Sequence, residues 1–242
     1  MADLYLGDCL EVMKTLGHAS VDVVIADLPY GITSAKWDCE IPLEPMWSEY
    51  KRLAKPATTF VLFASQPFTS KLITSNLQWF RYCWYWEKEK GTGFLNAKHQ
   101  PLRCIEEICI FYKHRGTYNP QMVPCKPYRH KLPTKASETV NEVASFCSEV
   151  QYKEYTQNYP KNKMQFARDK ANKGMHSTQK PEALLEYLVN TYSNPGDLIL
   201  DNTMGSGTTG VAAKKLGREF VGIELDPRTF RMAEERIGAV NF

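Results

Sequence analysis

Residues 198–210 read Leu198-Ile199-Leu200-Asp201-Asn202-Thr203-Met204-Gly205-Ser206-Gly207-Thr208-Thr209-Gly210. The apolar run that ends at Asp201 predicts a buried strand, and the glycines let the backbone turn tightly and approach a ligand before a helix begins. Amide groups at the start of that helix favour an electronegative ligand group. A second predicted strand at 220–224 ends in Glu224, where a carboxylate can accept both hydroxyl protons of a ribose. The pattern predicts a loop that holds a nucleoside cofactor.

The glycine spacing leaves a second cofactor class open. Gly205-x-Gly207-x-x-Gly210 with Glu224 downstream also matches the dinucleotide fingerprint, so nicotinamide or flavin binding has to be weighed. A P-loop is not favoured, because Thr208-Thr209 stands where that motif needs Lys-Ser/Thr. A dinucleotide fingerprint normally opens its domain, whereas only 32 residues follow Gly210. The rest of the sheet must come from upstream, which predicts a circularly permuted cofactor domain.

A second loop follows the predicted strand at 21–26 and reads Asp27-Leu28-Pro29-Tyr30. Open α/β sheets bind ligands at the carboxyl ends of their strands. Pro29 restricts its own φ and biases Leu28 toward an extended conformation, so that a backbone carbonyl beside Asp27 can point outward. The Asp27 carboxylate and that carbonyl can accept both hydrogens of one exocyclic amino group, and Tyr30 offers a ring face for stacking. An ordinary Asp-Pro turn with a surface tyrosine is the alternative interpretation.

Strand and helix patterns alternate along the chain. Alternation of this kind predicts a doubly wound α/β fold, and continuous apolar runs suit a parallel sheet covered by helices on both faces. Residues 82–88 and 107–112 predict an antiparallel pair at the sheet edge. The other predicted strands are 21–26, 59–64, 198–201 and 220–224, and the predicted helices are 9–16, 45–53, 69–77, 181–192, 209–216 and 227–237.

The composition argues against several classes of protein. The 242 residues fit one large domain, with or without an insertion. The sequence has no apolar run of membrane length and no N-terminal signal pattern, so we expect a cytoplasmic protein without membrane association. Its 7 cysteines include no C-x-x-C pair, which argues against a disulfide framework and against a zinc site. We therefore expect no metal.

Positive charge is concentrated in one segment. Residues 113–173 hold 12 Lys and Arg against five Asp and Glu, whereas the remainder holds 18 basic and 22 acidic residues. Prolines and polar residues interrupt any regular pattern from about 115 to 172, so an irregular insertion is predicted there. A basic block in a mildly acidic body suggests contact with a polyanion such as nucleic acid. A solvated, loop-rich surface is the alternative.

Taken together, these motifs resemble the β group of amino DNA methyltransferases. Asp27-Leu28-Pro29-Tyr30 is similar to the D/N/S-P-P-Y motif of that family, and residues 201–210 resemble its S-adenosylmethionine loop. The catalytic motif precedes the cofactor loop, as in the β group. Further similar segments are Leu6-Gly7-Asp8-Cys9, Gly93-Phe94-Leu95-Asn96-Ala97, Pro101-Leu102-Arg103 and His176-Ser177-Thr178-Gln179-Lys180-Pro181. The resemblance covers most of residues 4–112 and 174–237.

The resemblance implies a permuted Rossmann-like methyltransferase fold and S-adenosylmethionine as cofactor. By the family pattern Asp8 and Cys9 flank the adenine, Glu224 holds the ribose, and the 205–209 turn surrounds the methionine part. The implied cofactor-binding residues are Asp8, Cys9, Asp27, His176, Thr178, Lys180, Asp201, Thr203, Gly205, Ser206, Gly207, Thr208, Thr209 and Glu224. The chain departs from the pattern at Leu28, where the family has proline, and at Asn202-Thr203, where it often has Pro-Phe.

The resemblance also implies the reaction. Asp27, Leu28, Pro29 and Tyr30 form the catalytic loop, and the methyl acceptor is N6 of a flipped adenine in double-stranded DNA, with N4 of cytosine as the alternative. Residues 1–112 and 174–242 would form the catalytic domain, and residues 113–173 a target-recognition region. The candidates for DNA contact are Lys88, Asn96 and Arg103. Arg103 can equally pair with Glu106 or Glu107.

Family members often form homodimers and can accompany a restriction endonuclease, so both are partners to consider. Two other classes of protein remain compatible with the sequence. One is a dinucleotide-dependent oxidoreductase, and the other is a catalytically silent nucleic-acid-binding module.

Overall fold

The structure, a computed structural model, describes residues 2–31, 38–131, 152–167 and 179–240. The chain forms two compact units, one of Met1–Asn119 with Asn162–Phe242 and one of Pro120–Lys161. No helix in the described ranges has the length and apolar character needed to cross a membrane.

The described strands and α-helices alternate over much of the chain. In chain order they are β1 (Ala2–Leu6), α1 (Cys9–Thr15), β2 (Val21–Asp27), α2 (Leu43–Leu53), β3 (Ala54–Ala64), α3 (Phe68–Ser75), β4 (Phe80–Thr92), β5 (Arg103–Phe111), β6 (Val123–Lys131), β7 (Tyr152–Asn158), β8 (Lys163–Gln165), α4 (Glu182–Tyr192), β9 (Leu198–Asp201), α5 (Thr208–Lys215), β10 (Glu219–Glu224) and α6 (Pro227–Gly238). A short 3-10 helix, Phe94–Asn96, lies between β4 and β5.

The first unit contains one sheet with the strand order β1-β10-β9-β2-β3-β5-β4-β8. The five strands from β1 to β3 in that order are parallel, while β5 runs antiparallel to both β3 and β4. The last strands of the chain, β9 and β10, lie between the first two, β1 and β2. This order confirms the permuted, mostly parallel α/β fold that the sequence predicts.

The core explains why the strand sequences are apolar on both faces. On β2, Val23 and Ile25 pack into the cluster that includes α4, α5 and α6, while Val24 and Ala26 pack into the cluster that includes α1, α2 and α3. Successive side chains of a strand point to opposite faces, so helices on both sides require apolar residues at every position. β3 shows the same division, with Val61 and Phe63 on one face and Phe60 and Leu62 on the other.

The unit boundaries lie inside the segment predicted as an insertion. The Asn119 amide donates to the Thr191 carbonyl at 2.7 Å, so residues up to 119 pack with α4. At the other end β8 pairs with β4, with Trp86 opposite Met164, and extends the sheet beyond the β4–β5 pair. The sequence analysis missed β8, because three residues are too short to show a pattern.

The second unit contains an antiparallel hairpin of β6 and β7 where an irregular segment was predicted. The two strands are joined by a stacked pair, Tyr128 on Tyr155, with ring centroids 5.5 Å apart. Nearly every side chain of the hairpin is exposed, so neither strand shows the apolar alternation that identifies a half-buried strand. A register shift between Pro124 and Tyr128 interrupts the pattern further.

Candidate active site

The structure brings the two glycine- and proline-marked loops to the same edge of the sheet. β2 pairs in parallel with β9, with Val23 opposite Ile199 and Val24 opposite Leu200. The loops that follow the two strands therefore leave the sheet side by side. The Thr203 hydroxyl donates to the backbone carbonyl of Asp27 at 3.1 Å, which joins the loops directly.

Asp27 presents its carboxylate at this edge. Its Oδ1 accepts a hydrogen bond from the Tyr30 hydroxyl at 2.8 Å, and its Oδ2 accepts one from Lys180 Nζ at 2.5 Å. The Asp27 side chain is 33% exposed, so the carboxylate is held in place and still reachable from outside.

Leu28 takes part in the loop through its backbone. Its side chain is 3% exposed and packs in the cluster beneath α2 and α3. The Leu28 side chain therefore contributes to the core. The residue after the loop, Gly31, has φ +66, and its amide donates to Asp38 Oδ1 at 2.8 Å.

The Tyr30 ring is held on one face by Phe68, with centroids 5.4 Å apart and an interplanar angle of 28°. Burial, followed by the nearby Asp27 charge, raises the pKa of the Tyr30 hydroxyl well above its ordinary value. The hydroxyl thus stays a hydrogen-bond donor to Asp27. The sequence analysis missed Phe68, although its position directly after the predicted strand 59–64 placed it at the same edge.

Lys180 lies between two carboxylates. Its Nζ is 2.5 Å from Asp27 Oδ2 and 3.3 Å from Glu106 Oε2, and its side chain is 11% exposed. Burial opposes the charged form, but the charges of Asp27 and Glu106 raise the Lys180 pKa overall. Lys180, expected near the cofactor, pairs with the catalytic loop in this structure.

Glu106 also pairs with Lys88 Nζ, at 2.7 Å from Oε1. Burial works against ionisation of Glu106, but the positive charges of Lys180 and Lys88 lower its pKa overall. The Lys88 side chain is 9% exposed and directed at Glu106, whereas Asn96 and Arg103 are exposed. Glu106 thus pairs with two lysines, and the alternative of an Arg103 pair with it is not what the structure shows.

The cofactor loop turns at two glycines with left-handed backbone, Gly205 at φ +53 and Gly207 at φ +77. The Gly205 amide donates to Glu224 Oε2 at 2.9 Å, and Glu224 Oε1 accepts from the Asp226 amide at 2.8 Å. Glu224 therefore holds the turn as well as presenting a carboxylate. Apart from its two chain neighbours, no described residue lies within 4 Å of the point where a Cβ on Gly205 would be placed, so the described part of the chain leaves space beside the turn.

Gly210 lies in a closely packed part of α5. A Cβ at this position would lie 2.5 Å from Ile237 Cδ1 and 2.7 Å from Phe220 Cε1. The absence of a side chain therefore allows close packing of α5 against β10 and α6.

The two residues at which the chain departs from the family pattern tie the loop to its surroundings. Asn202 is 1% exposed, and its Oδ1 accepts a hydrogen bond from the buried Tyr50 hydroxyl at 2.6 Å. Thr203 makes the bond to Asp27 described above. Asn202 and Thr203 therefore anchor the cofactor loop to α2 and to the catalytic loop.

Asp201 is buried at the end of β9 and accepts the Thr203 amide at 3.1 Å. Burial raises the pKa of its carboxyl to about 7, against the effect of hydrogen bonds from Thr209 and Thr203. An acid this deeply buried is neutral over part of the physiological pH range.

The other predicted cofactor residues that the structure describes lie at the starts of α1 and α5 and in the loops before them. Asp8 Oδ1 accepts the Leu10 and Glu11 amides and so begins α1, and the Gly7 amide bonds to the Glu224 carbonyl at 2.9 Å. Ser206 contacts Gln179 Oε1 at 3.3 Å. Cys9, Thr208 and Thr209 lie at the starts of α1 and α5. His176 and Thr178 fall outside the described residues.

The fold matches that of a protein solved in complex with SAM. The chain aligns with the crystal structure of the M1.HpyAVI–SAM complex at a TM-score of 0.65 and 26% identity, over 98% of this chain and 100% of that one. A permuted α/β sheet with these two loops at one edge defines the class of amino-group DNA methyltransferases.

The sequence comparisons identify the family. The profile of the N6_N4_Mtase family, described as DNA methylase, matches residues 21–235, and the chain belongs to this family. Type II methyltransferase M1.MboII of Moraxella bovis is 30% identical over 90% of this chain and 90% of its own. Type II methyltransferase M.HinfI of Haemophilus influenzae is 28% identical over 96% of this chain and 67% of its own.

Proposed function

We propose that this DNA methyltransferase moves a methyl group from S-adenosylmethionine to the exocyclic N6 of an adenine flipped out of double-stranded DNA. The observation that carries the proposal is the hydrogen bond between Thr203 and Asp27. It sets a turn suited to a nucleoside cofactor beside an acceptor suited to an amino group. The family profile includes both N6 and N4 enzymes, so the base is part of the proposal.

The residues around the turn fit the cofactor. By the family pattern, the turn at Gly205 would receive the methionine part, the Glu224 carboxylate would hold the ribose, and Asp8 with Cys9 would flank the adenine. S-adenosylmethionine supplies a methyl group on a positively charged sulfur, which is electrophilic. Amides at the start of α5 and the left-handed turn favour the cofactor's carboxylate.

The catalytic loop prepares the nucleophile. An exocyclic amino nitrogen is a poor nucleophile because its lone pair is delocalised into the ring. The Asp27 carbonyl is occupied by Thr203, so the Asp27 carboxylate and the Leu28 carbonyl are the acceptors we assign to the two amino hydrogens. Accepting both hydrogens favours a pyramidal nitrogen, and the negative charge of Asp27 stabilises the positive charge that develops there.

A base inside a duplex cannot reach this edge, so the target nucleotide has to be flipped, at a cost of a few kcal/mol. Tyr30 stacks on Phe68 with one face, and stacking of the base on such a ring contributes about 1–3 kcal/mol. In the resembling family, Asp at the first motif position accompanies adenine more often than cytosine. This is the reason for choosing N6.

The basic segment 113–173 is proposed to recognise the target sequence, with Asn96 and Arg103 as further exposed DNA contacts. M1.MboII and M.HinfI are both named type II methyltransferases, which supports a site-specific enzyme. Homodimer formation and a restriction endonuclease partner are proposed from the family resemblance.

The test is methylation of unmethylated plasmid DNA by the purified protein with S-adenosylmethionine, followed by mass spectrometry of the nucleosides. We expect N6-methyladenine. Detection of N4-methylcytosine would show that the target base is cytosine and would leave the proposed chemistry of the catalytic loop unchanged. The absence of any modified base on any DNA would overturn the proposal.

Asp27→Asn is the matched variant, because it keeps the size of the side chain and removes its charge. We expect at least a 100-fold slower reaction, with a much smaller effect on the Kd for S-adenosylmethionine than on the rate. Asp3→Asn, at an exposed aspartate on β1, is the control and should retain the parental rate. Calorimetry with NAD tests the oxidoreductase alternative, and no binding is expected.

A further inference from the structure

A chain of charged side chains crosses the sheet edge behind the catalytic loop. It runs from Lys88 on β4 to Glu106 on β5, then to Lys180, and ends at Asp27 on β2. The side chains of Lys88, Glu106 and Lys180 are 9%, 14% and 11% exposed. Buried charges of this kind are expensive to maintain unless each is paired, so their arrangement constrains the side chains strongly.

The Lys180 ammonium lies where the target amino group has to bind. It occupies Asp27 Oδ2 at 2.5 Å, while the Tyr30 hydroxyl occupies Oδ1. A carboxylate neutralised by an adjacent ammonium is a weaker acceptor and stabilises less positive charge on a third group. The proposed reaction therefore needs Lys180 to withdraw from Asp27 when the base arrives.

The Glu106 carboxylate lies close enough to Lys180 to pair with its ammonium more fully. Its Oε1 is held by Lys88 at 2.7 Å, which leaves Oε2 facing Lys180 at 3.3 Å. This contact is an ion pair at 3.3 Å, and no described group makes a geometrically good hydrogen bond to the buried Oε2. A buried acceptor without a donor is unfavourable, so a small movement of the ammonium toward Oε2 improves its hydrogen bonding.

We propose that Glu106 is a positioning residue that takes the Lys180 ammonium from Asp27 when the target amino group binds. Lys88 fixes Glu106 from the opposite side, so the carboxylate stays in place during the exchange. No covalent bond is made or broken in this exchange, and no proton is transferred. The inference rests on the proposed role of Asp27 in methyl transfer, and it extends that role to a residue on another strand.

The test is Glu106→Gln, with single-turnover methyl transfer measured at saturating DNA and S-adenosylmethionine. Glutamine keeps the shape but does not attract the ammonium, so Lys180 stays on Asp27. We expect about a tenfold slower transfer, with the Kd for the cofactor within about twofold of the parent. Glu107→Gln is the matched control on the same strand, where the carboxylate bonds to Thr69 at 3.1 Å, and it should retain the parental rate.

A double variant separates positioning from a general structural effect. Lys180→Gln removes the group through which Glu106 acts, so adding Glu106→Gln to it should change the rate by less than about twofold. Glu106→Asp retains the charge and should restore most of the rate. If Glu106→Gln folds poorly because Lys88 is left unpaired, Glu106→Gln with Lys88→Met removes that charge, and the rate loss should persist.

A Glu106→Gln protein that transfers methyl groups as fast as the parent would overturn the inference and leave the proposed function standing. Rate losses that multiply in the double variant would do the same. If instead the parent methylates no DNA, the proposed function fails, and this inference fails with it.

Discussion

The Thr203 hydroxyl donates to the backbone carbonyl of Asp27, between residues 176 positions apart in the chain. Thr203 belongs to the loop after β9 and Asp27 to the end of β2, and the parallel pairing of these strands sets the loops side by side. The bond fixes the distance between the catalytic loop and the cofactor turn. Catalysis by positioning depends on such distances, because a shift of about 1 Å can cost a large part of the rate.

Thr203→Val removes the hydrogen bond and retains the branched shape. A neutral hydrogen bond contributes about 1 kcal/mol, so we expect methyl transfer to slow about fivefold, with little change in cofactor Kd. Single-turnover kinetics measure the rate, and calorimetry measures the Kd. Thr74→Val is the control, because that hydroxyl bonds only to carbonyls of α3, and a rate loss shared by both variants would contradict the proposed contact.

Asp201 should make the stability of the cofactor-free protein depend on pH. Burial raises the pKa of its carboxyl from 3.8 to about 7, so the folded state keeps a proton that the unfolded state has lost. The free energy of unfolding therefore falls as pH rises from about 4 to about 7, by as much as about 4 kcal/mol.

Asp201→Asn is neutral at every pH and should lose less thermal stability than the parent between pH 5 and pH 8. Differential scanning fluorimetry of both proteins without cofactor measures this. Asp3→Asn, an exposed aspartate on β1, controls for the loss of one negative charge. Equal shifts of Tm in the parent and Asp201→Asn would show that Asp201 is ionised throughout.

Phe68 should support base binding through Tyr30. Phe68→Leu keeps an apolar side chain but removes the ring that stacks on Tyr30 at 5.4 Å. Aromatic pairs contribute about 0.5–1.5 kcal/mol beyond area burial, so we expect up to about a tenfold rise in KM for DNA. Phe80→Leu loses an edge contact with Phe111 and serves as the control. An unchanged KM in Phe68→Leu would mean that the Tyr30 orientation does not depend on this stack.

Gly210→Ala should destabilise the protein by about 1–3 kcal/mol, because its Cβ would be forced against Phe220 and Ile237. Gly238→Ala is the matched control, since apart from its chain neighbours and the nearby backbone of α6 no described atom lies within 4 Å of a Cβ there. Urea denaturation of both variants compares the free energies of unfolding. Equal stabilities would show that α5 can shift away from its neighbours at little cost.

The sequence predicted the strands and helices of the sheet well, because residues such as those of β2 are covered on both faces and leave a continuous apolar signal. It predicted both loops, because glycine and proline restrict or release the backbone at known positions. It did not predict the β6–β7 hairpin, whose exposed side chains carry no burial pattern.

The sequence did not predict which side chains contact the residues of the site. Phe68 and Tyr50 each contact one of the two loops, and Glu106 pairs with Lys180, yet no sequence motif distinguishes these residues from ordinary core or edge positions. Asn202 and Thr203 looked like departures from a family pattern, and only their contacts with Tyr50 and Asp27 show what they do.

The sequence by itself determined the order of the elements and the chemistry of the two loops, because these depend on backbone preferences and on burial that repeats along the chain. Its resemblance to a known family indicated the class of enzyme. Only the tertiary structure determined which charged side chains form ion pairs. Lys180 pairs with Asp27 from 153 residues away and with Glu106 on another strand. Such pairs have no local signal, because the sheet order, and not the spacing in the chain, sets the distance between them.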